Sequence, residues 1–342
     1  VQTCALPICS SRRRDTWLWP KSRVRWARRF TVSFRPLDAH YAKSRGTDLR
    51  SPSPLRVYGI LAAGVFALGW SAILIRLAEA PPLAIAAYRM LGGALLLLPA
   101  AGPSLPSLWR GLEPRQRIVW AASSVFLALH FSLWIESLRH TSVASSVILV
   151  TTNPIFAGIG GWLLLGEREG RRFWAGVALT ALGGVLLAGT DARVWSGSMY
   201  GNALALGGAV MVSGYLICGR KLRGSIPLVP YVTVCYGLSG ALLALAAMAS
   251  GQPLTGYSEQ TWLLLGAMVA GPTLIGHTSV NYALAHLPPG RVSLTILGEP
   301  VVATALAWWI LSEPLSAVRA GAGSLIVAGI IWGARSRDKG PK

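Results

Sequence analysis

Ten long apolar segments dominate this sequence and leave the chain few ways to fold. They lie near 57–78, 83–101, 117–138, 141–165, 173–190, 201–219, 229–249, 261–284, 291–311 and 316–334, with short connections between them. A helix that crosses a hydrocarbon layer about 30 Å thick needs about 20 mostly apolar residues, since each residue adds about 1.5 Å. Backbone in lipid must satisfy its own hydrogen bonds, so each segment is predicted to be one transmembrane helix. Composition points the same way: 53% of residues are hydrophobic and 13% charged, with a mean hydropathy of +0.50. Such values exclude an ordinary soluble domain. The expected fold class is an all-α polytopic membrane protein.

The net charge of +19 would suggest a nucleic-acid partner in a soluble protein, because a basic face there meets phosphate. Here the Lys and Arg residues sit between apolar runs and in the first 56 residues, so the lipid bilayer is the expected partner and nucleic acid is not. Alternate loops differ in charge. One set carries Arg110, Arg115 and Arg117, then Arg168, Arg171 and Arg172, then Arg220, Lys221 and Arg223, then Arg291, then Arg335, Arg337, Lys339 and Lys342. The other set carries Arg139 and Arg193, with Arg319 a third if it falls outside the last helix. Short basic loops stay on the cytoplasmic side, so both termini are expected there, which requires an even number of spans. Arg outnumbers Lys throughout, pointing to a bacterial source and hence to the inner membrane.

Residues 1–56 are Arg-rich and lack helical or strand periodicity, and a disordered basic tail is expected there. The opening Val1–Cys9 stretch has the look of sequence added by an over-extended gene model. A transit peptide is the other reading, weakened by Asp15, Asp38 and Asp48. Residues 335–342 form a short cytoplasmic tail. The four cysteines, Cys4, Cys9, Cys218 and Cys235, include no Cys-x-x-Cys and no Cys/His cluster, so neither a disulfide framework, a metal site nor a cofactor is expected.

The chain also repeats itself. A shift of 146 residues sets Leu138 on Leu284, His140 on His286, Pro154 on Pro300, Trp162 on Trp308, Glu167 on Glu313 and Gly183 on Gly329. Nearly the same shift sets Gly69-Trp70 on Gly214-Tyr215, and Gly93 to Leu96 on Gly240 to Leu243. Each copy, residues 57–190 and 200–334, holds five spans. An odd number makes the second copy enter the membrane from the opposite side, giving two inverted five-helix repeats and a route to alternating access around a site near the midplane.

At this level of detail the chain resembles the EamA-type branch of the drug/metabolite transporter superfamily over about residues 57–334. The likeness is carried by Gly69-Trp70-Ser71, Tyr88-Arg89, Ser137 to Ser142, Asn153-Pro154 and Leu165-Gly166-Glu167 in the first half. Gly298-Glu299-Pro300 and Leu311-Ser312-Glu313 carry it in the second. The resemblance implies a ten-helix secondary carrier, commonly an exporter, of amino acids, other metabolites or toxic compounds. It further implies a central cavity lined mainly by spans one, three, four, six, eight and nine. The assembly stays open between a monomer and a homodimer.

Ionisable groups within spans cost roughly 2.5 to 3.5 kcal/mol at the centre and normally face the bundle interior. Glu299, with Thr295 on its face and Pro300 after it, suits a carboxylate for a substrate amine or a coupling proton; a structural Glu bonded to a facing backbone is the alternative. Asn153, before Pro154, occupies the matching place in span four, and Ser142, Ser145 and Ser146 share its polar stripe, either toward a cavity or as close-packing residues. Arg89 in span two could hold a substrate carboxylate by a bidentate pair, or snorkel, or bridge to Glu136 or Glu299. His277, with Thr273 and Asn281 on its stripe, and His130, four residues before Trp134, could couple transport to protons or serve as hydrogen-bonded structural groups. Trp70 and Tyr215, matched in the two copies, could wall the cavity or pack between helices. Glu167 and Glu313 are expected as caps or gate contacts to nearby Arg residues.

A membrane-embedded enzyme is the competing class. No Gly-x-Ser-x-Gly elbow, His-Glu-x-x-His motif or phosphate-binding loop occurs, and an inverting duplication has a direct use in a carrier.

Overall fold

The structure, a computed structural model, describes residues 52–141, 146, 149–189, 198–311 and 316–335, and every regular element among them is helical. In the first half α1 spans Pro54–Leu77, α2 Pro82–Ala101, the short α3 Leu105–Gly111, α4 Pro114–His140, α5 Asn153–Leu165 and α6 Arg171–Ala188. In the second, α7 spans Met199–Arg223, α8 Leu228–Ala249, α9 Glu259–Met268, α10 Thr278–Leu284, α11 Pro289–Ile296, α12 Glu299–Leu311 and α13 Ala317–Ala334. A π-helical stretch, Val269–His277, joins α9 to α10 and contains Pro272.

Local chemistry sets the helix ends. The Ser53 hydroxyl accepts from the Arg56 N–H ahead of α1, and Glu113 and Gln116 form a reciprocal capping box at α4. α5 stops at Gly166, whose φ of 74° lies in the left-handed region that glycine tolerates. Its N–H bonds to Trp162 O, and the Glu167 N–H to Gly161 O.

Among the described residues, eight helical stretches are long and apolar enough to cross a membrane: Pro54–Ile75, Pro82–Gly111, Pro114–Ser137, Met199–Arg223, Leu228–Ala249, Glu259–Leu284, Pro289–Ile310 and Ala317–Ala334. The sequence suggests ten. The other two segments are 141–165, which includes residues outside the described ones, and 173–190. α5 has 13 residues, about 20 Å of helix, and α6 opens on Arg171 and Arg172. Outward-facing positions such as Leu95, Leu263, Trp309 and Trp332 are exposed and apolar, while Ser123, Ser124, Ser213, Ser239 and Asn281 are buried. That arrangement suits a lipid exterior.

Helix pairings recur between the halves. α7 packs on α4 and α5, and in the matching way α1 packs on the α9–α10 stretch and on α12. Small residues permit this closeness: a Cβ at Gly160 would lie 2.4 Å from Ile217 Cδ1, and one at Gly69 2.4 Å from Val302 Cγ1. Three further pairs, α2 with α8, α5 with α11 and α6 with α13, bring the halves together directly. The α6–α13 seam is antiparallel. A Cβ at Gly176 would lie 2.6 Å from Gly329 O, and one at Gly183 2.9 Å from Ala322 O.

Candidate functional site

Two helices of the bundle are interrupted at the same point of the repeat. A turn at Thr151 and Thr152 precedes α5, and a turn at Leu297 and Gly298 separates α11 from α12. Asn153 and Glu299 are therefore the first residues of the helices that follow, and Pro154 and Pro300 the second. Proline suits the first turn of a helix, where its missing N–H has no partner to lose. At the first break the N–H and hydroxyl of Thr152 both bond to Leu149 O, at 3.2 and 2.6 Å. At the second, Leu297 and Gly298 bond back to Leu294 O and Thr295 O at 3.3 and 3.0 Å.

Between the breaks lies a cavity of about 90 Å³. α1 contributes Leu68 and Ser71, α2 Arg89, α4 His130, Phe131 and Trp134, and α7 Val212, Tyr215 and Leu216. His277 and Val280 close it from the α9–α10 stretch, and Val150, Asn153, Ile296 and Glu299 from the two breaks. The wall is thus mostly apolar, with a few convergent polar groups. Its volume admits several water molecules or a solute of comparable heavy-atom count.

Arg89 is 1% exposed, and its Nε and Nη1 are buried without a hydrogen-bond partner. Its guanidinium lies 5.3 Å from the Phe131 ring centre. His130 stacks on Trp134 and flanks Phe131; its Nδ1 lies 2.9 Å from Gly208 O. An acceptor there makes Nδ1 the protonated nitrogen and leaves Nε2 as the second site. His277 meets the edge of Phe131 at 5.6 Å between ring centres. Asn153 Oδ1 accepts from Ser293 Oγ at 2.8 Å, and its backbone O accepts from Ser213 Oγ at 3.0 Å. Glu299 lines the same cavity as Arg89, yet no ion pair joins them among the described residues. Glu136 is held at the end of α4 by His140 at 2.9 Å and Arg139 at 3.9 Å.

Of the residues singled out from sequence, Arg89, His130, Asn153, Tyr215, His277 and Glu299 come together here. Asn281 stands one layer behind. Its Nδ2 donates to Tyr215 Oη and to His277 O, and its Oδ1 is buried without a partner. Trp70 is half-buried and packs with Ile73, Val302 and Leu306. Ser146 is buried against Ser137 Oγ at 2.6 Å, while Ser142, Ser145 and Glu313 lie outside the described residues. Among those residues no set of His, Cys, Asp or Glu gathers that could hold a metal ion.

At the face bearing the basic loops, charged side chains knit four helix ends together. Arg220 reaches Glu167 Oε1 with Nη2 at 2.8 Å and Nε at 2.9 Å. Its Nη1 donates to Leu284 O and Ala285 O at 3.1 and 3.0 Å. Arg223 Nε donates to Asn281 O at 3.1 Å. Arg291 Nε lies 3.3 Å from Glu169 Oε2, in a pair whose side chains are 8% and 3% exposed. Sequence reasoning missed Glu169, Ser213 and Ser293; charge alternation reads loop residues for sidedness, not for partners.

The sequence model of EamA-like transporters matches residues 56–189 and matches again over 199–333. The chain belongs to the EamA-like transporter family. It is a multi-pass membrane transporter rather than an enzyme, with a small-molecule substrate. The chain is similar to two uncharacterized transporters of Bacillus subtilis (strain 168). One is YwfM, 26% identical over 252 residues, covering 70% of this chain and 79% of YwfM. The other is YdfC, 26% identical over 211 residues, covering 60% and 68%. A solved crystal structure with 20% sequence identity shares the fold at a TM-score of 0.69, over 82% of this chain and 98% of its own. In this EamA-like chain each family match contains one of the two helix breaks, and the cavity draws on both matches.

Proposed function

We propose that this EamA-like transporter is a secondary carrier that exports a small organic metabolite, an amino acid or a related compound, by alternating access. Ten crossings, arranged as two inverted five-helix units over 57–190 and 200–334, would place both termini in the cytoplasm of a bacterial cell and the carrier in its inner membrane. One observation carries the proposal: a partly polar cavity lies between two helix breaks that coincide under the internal repeat. Broken helices around a midplane cavity are how carriers hold solutes where lipid cannot follow. The α6–α13 seam supports inversion, since Gly183 and Gly329 are repeat mates and their helices run antiparallel, as a two-fold axis in the membrane plane requires.

In this scheme Arg89, His130, Asn153, Tyr215, His277 and Glu299 face the solute, Asn281 orients Tyr215, and Glu299 is the carboxylate that takes up an amine or a proton. Pro154 and Pro300 fix the breaks. Glu167 belongs to a gate at one face, with Glu313 its counterpart at the other. Counterflow of labelled solutes in proteoliposomes tests the proposal. Saturable exchange without chemical change is the expected result; product formation without flux would overturn it.

A further inference from the structure

Arg89 is the charged group of the cavity wall that the bundle leaves without a hydrogen bond among the described residues, beside the unpartnered indole Nε1 of Trp134. A buried cation ordinarily finds a carboxylate or several carbonyls, because an unpaired charge in an apolar interior is costly. Arg89 has neither. Its Nε and Nη1 lack partners, Glu136 is engaged by His140 and Arg139 at the end of α4, and Glu299 makes no ion pair with it among the described residues. Phe131 offers only a ring face, at 5.3 Å. Nε and Nη1 lie on different edges of the guanidinium, so each edge keeps an unused donor. A fork of parallel N–H groups matches the two oxygens of a carboxylate in its plane.

Charge count narrows the choice of anion. Among the described lining residues Arg89 is the only Lys or Arg and Glu299 the only carboxylate. A monoanionic head leaves Arg89 neutralised, whereas a dianionic phosphate would leave uncompensated negative charge beside Glu299. A spherical halide would use the fork poorly. We propose, resting on the carrier assignment above, that Arg89 is the specificity-determining residue of the cavity and receives the monocarboxylate head of the transported solute.

The test uses purified full-length protein in detergent, so that binding is read without flux. Butyrate, valine and phenylalanine are titrated calorimetrically against butyramide, valinamide, phenylalaninamide, the phosphonate analogue of valine, and chloride. At least one carboxylate is expected to bind at least about tenfold more tightly than its amide, the scale of one charge-assisted hydrogen bond. Arg89→Gln should remove that preference, and Arg89→Lys, which keeps charge but loses the fork, should restore only part of it. Melting of the ligand-free protein separates the role from a structural one: Arg89→Gln should melt at or above the wild-type temperature, because it removes an unpaired buried charge. Equal binding of acids and amides, tighter binding of the phosphonate or chloride, or a large drop in ligand-free melting temperature would each overturn the assignment. Carboxylate binding through Arg89 with no flux in proteoliposomes would support it and refute the carrier; flux indifferent to the head group would do the reverse.

Discussion

Replacing Glu167 with Gln should loosen the basic face of the protein while leaving the helices intact. Arg220 makes two contacts to Glu167 Oε1, at 2.8 and 2.9 Å, and both side chains are about one quarter exposed, at 24% and 26%. Unit charges at that separation attract by about 6 kcal/mol at an effective dielectric constant of about 20. Desolvation and the ordering of two side chains offset most of this. Arg220 also keeps its bonds to Leu284 O and Ala285 O, so the net weakening is about 1–2 kcal/mol. That corresponds to about a five- to thirtyfold rise in the population with this face open. The assay places a single Cys at cavity-lining Val212, in a chain lacking Cys4, Cys9, Cys218 and Cys235. The rate of labelling by an impermeant maleimide is then followed from the side of the basic loops. Glu167→Gln and Arg220→Gln should each accelerate labelling, Arg220→Gln the more because it also loses the bonds to Leu284 O and Ala285 O, and the double variant should do little more than Arg220→Gln alone. Unchanged labelling in both single variants would refute the gate.

Glu299→Gln is expected to abolish transport or uncouple it from protons while the protein remains in the membrane; wild-type exchange with unaltered pH dependence would reject its role. Gly176→Leu should lower the melting temperature in detergent, by about 1–3 kcal/mol of overpacking, because its Cβ would press on Gly329 O at 2.6 Å. Gly266→Ala, which meets nothing within 4 Å, should not. His286, in the loop after α10, is held below its ordinary pKa of 6.5 by burial and then by Arg223 and Arg220. It should titrate below 6.5 by NMR. Because folding favours its neutral form, the stability it contributes is present above 6.5 and declines as pH falls below that value.

The helical build, the membrane class and the transport family were legible because each rests on long stretches of chain. Twenty apolar residues, a sustained duplication and paired Asn-Pro and Glu-Pro steps survive errors of a few positions. What stayed hidden depends on single atoms or on partners far apart in sequence. Glu169 and Arg291 meet across 122 positions, and nothing in either loop marks the other. The π-helical stretch Val269–His277, which carries His277 to the cavity, leaves no periodic trace in residues apolar on every side. Trp70 and Tyr215 looked alike by register, yet Tyr215 lines the cavity and Trp70 packs with Leu306, although their helices pack in the matching way. Three roles for Arg89 were open from sequence; only its surroundings reveal an unused guanidinium.

The two matched helix breaks carry different chemistry, an amide at Asn153 and an acid at Glu299. In a carrier that works by trading the shapes of its halves, perfect copies would make the two orientations equal in energy. Here the trade would move a lone carboxylate and a lone guanidinium, and neither has a twin to take its former place. The two end states of such a carrier would therefore be chemically distinct, and the unloaded protein would favour one side of the membrane over the other. Divergence after duplication would then have given a symmetric scaffold a preferred resting pose, set by the acid and the guanidinium that lack repeat mates.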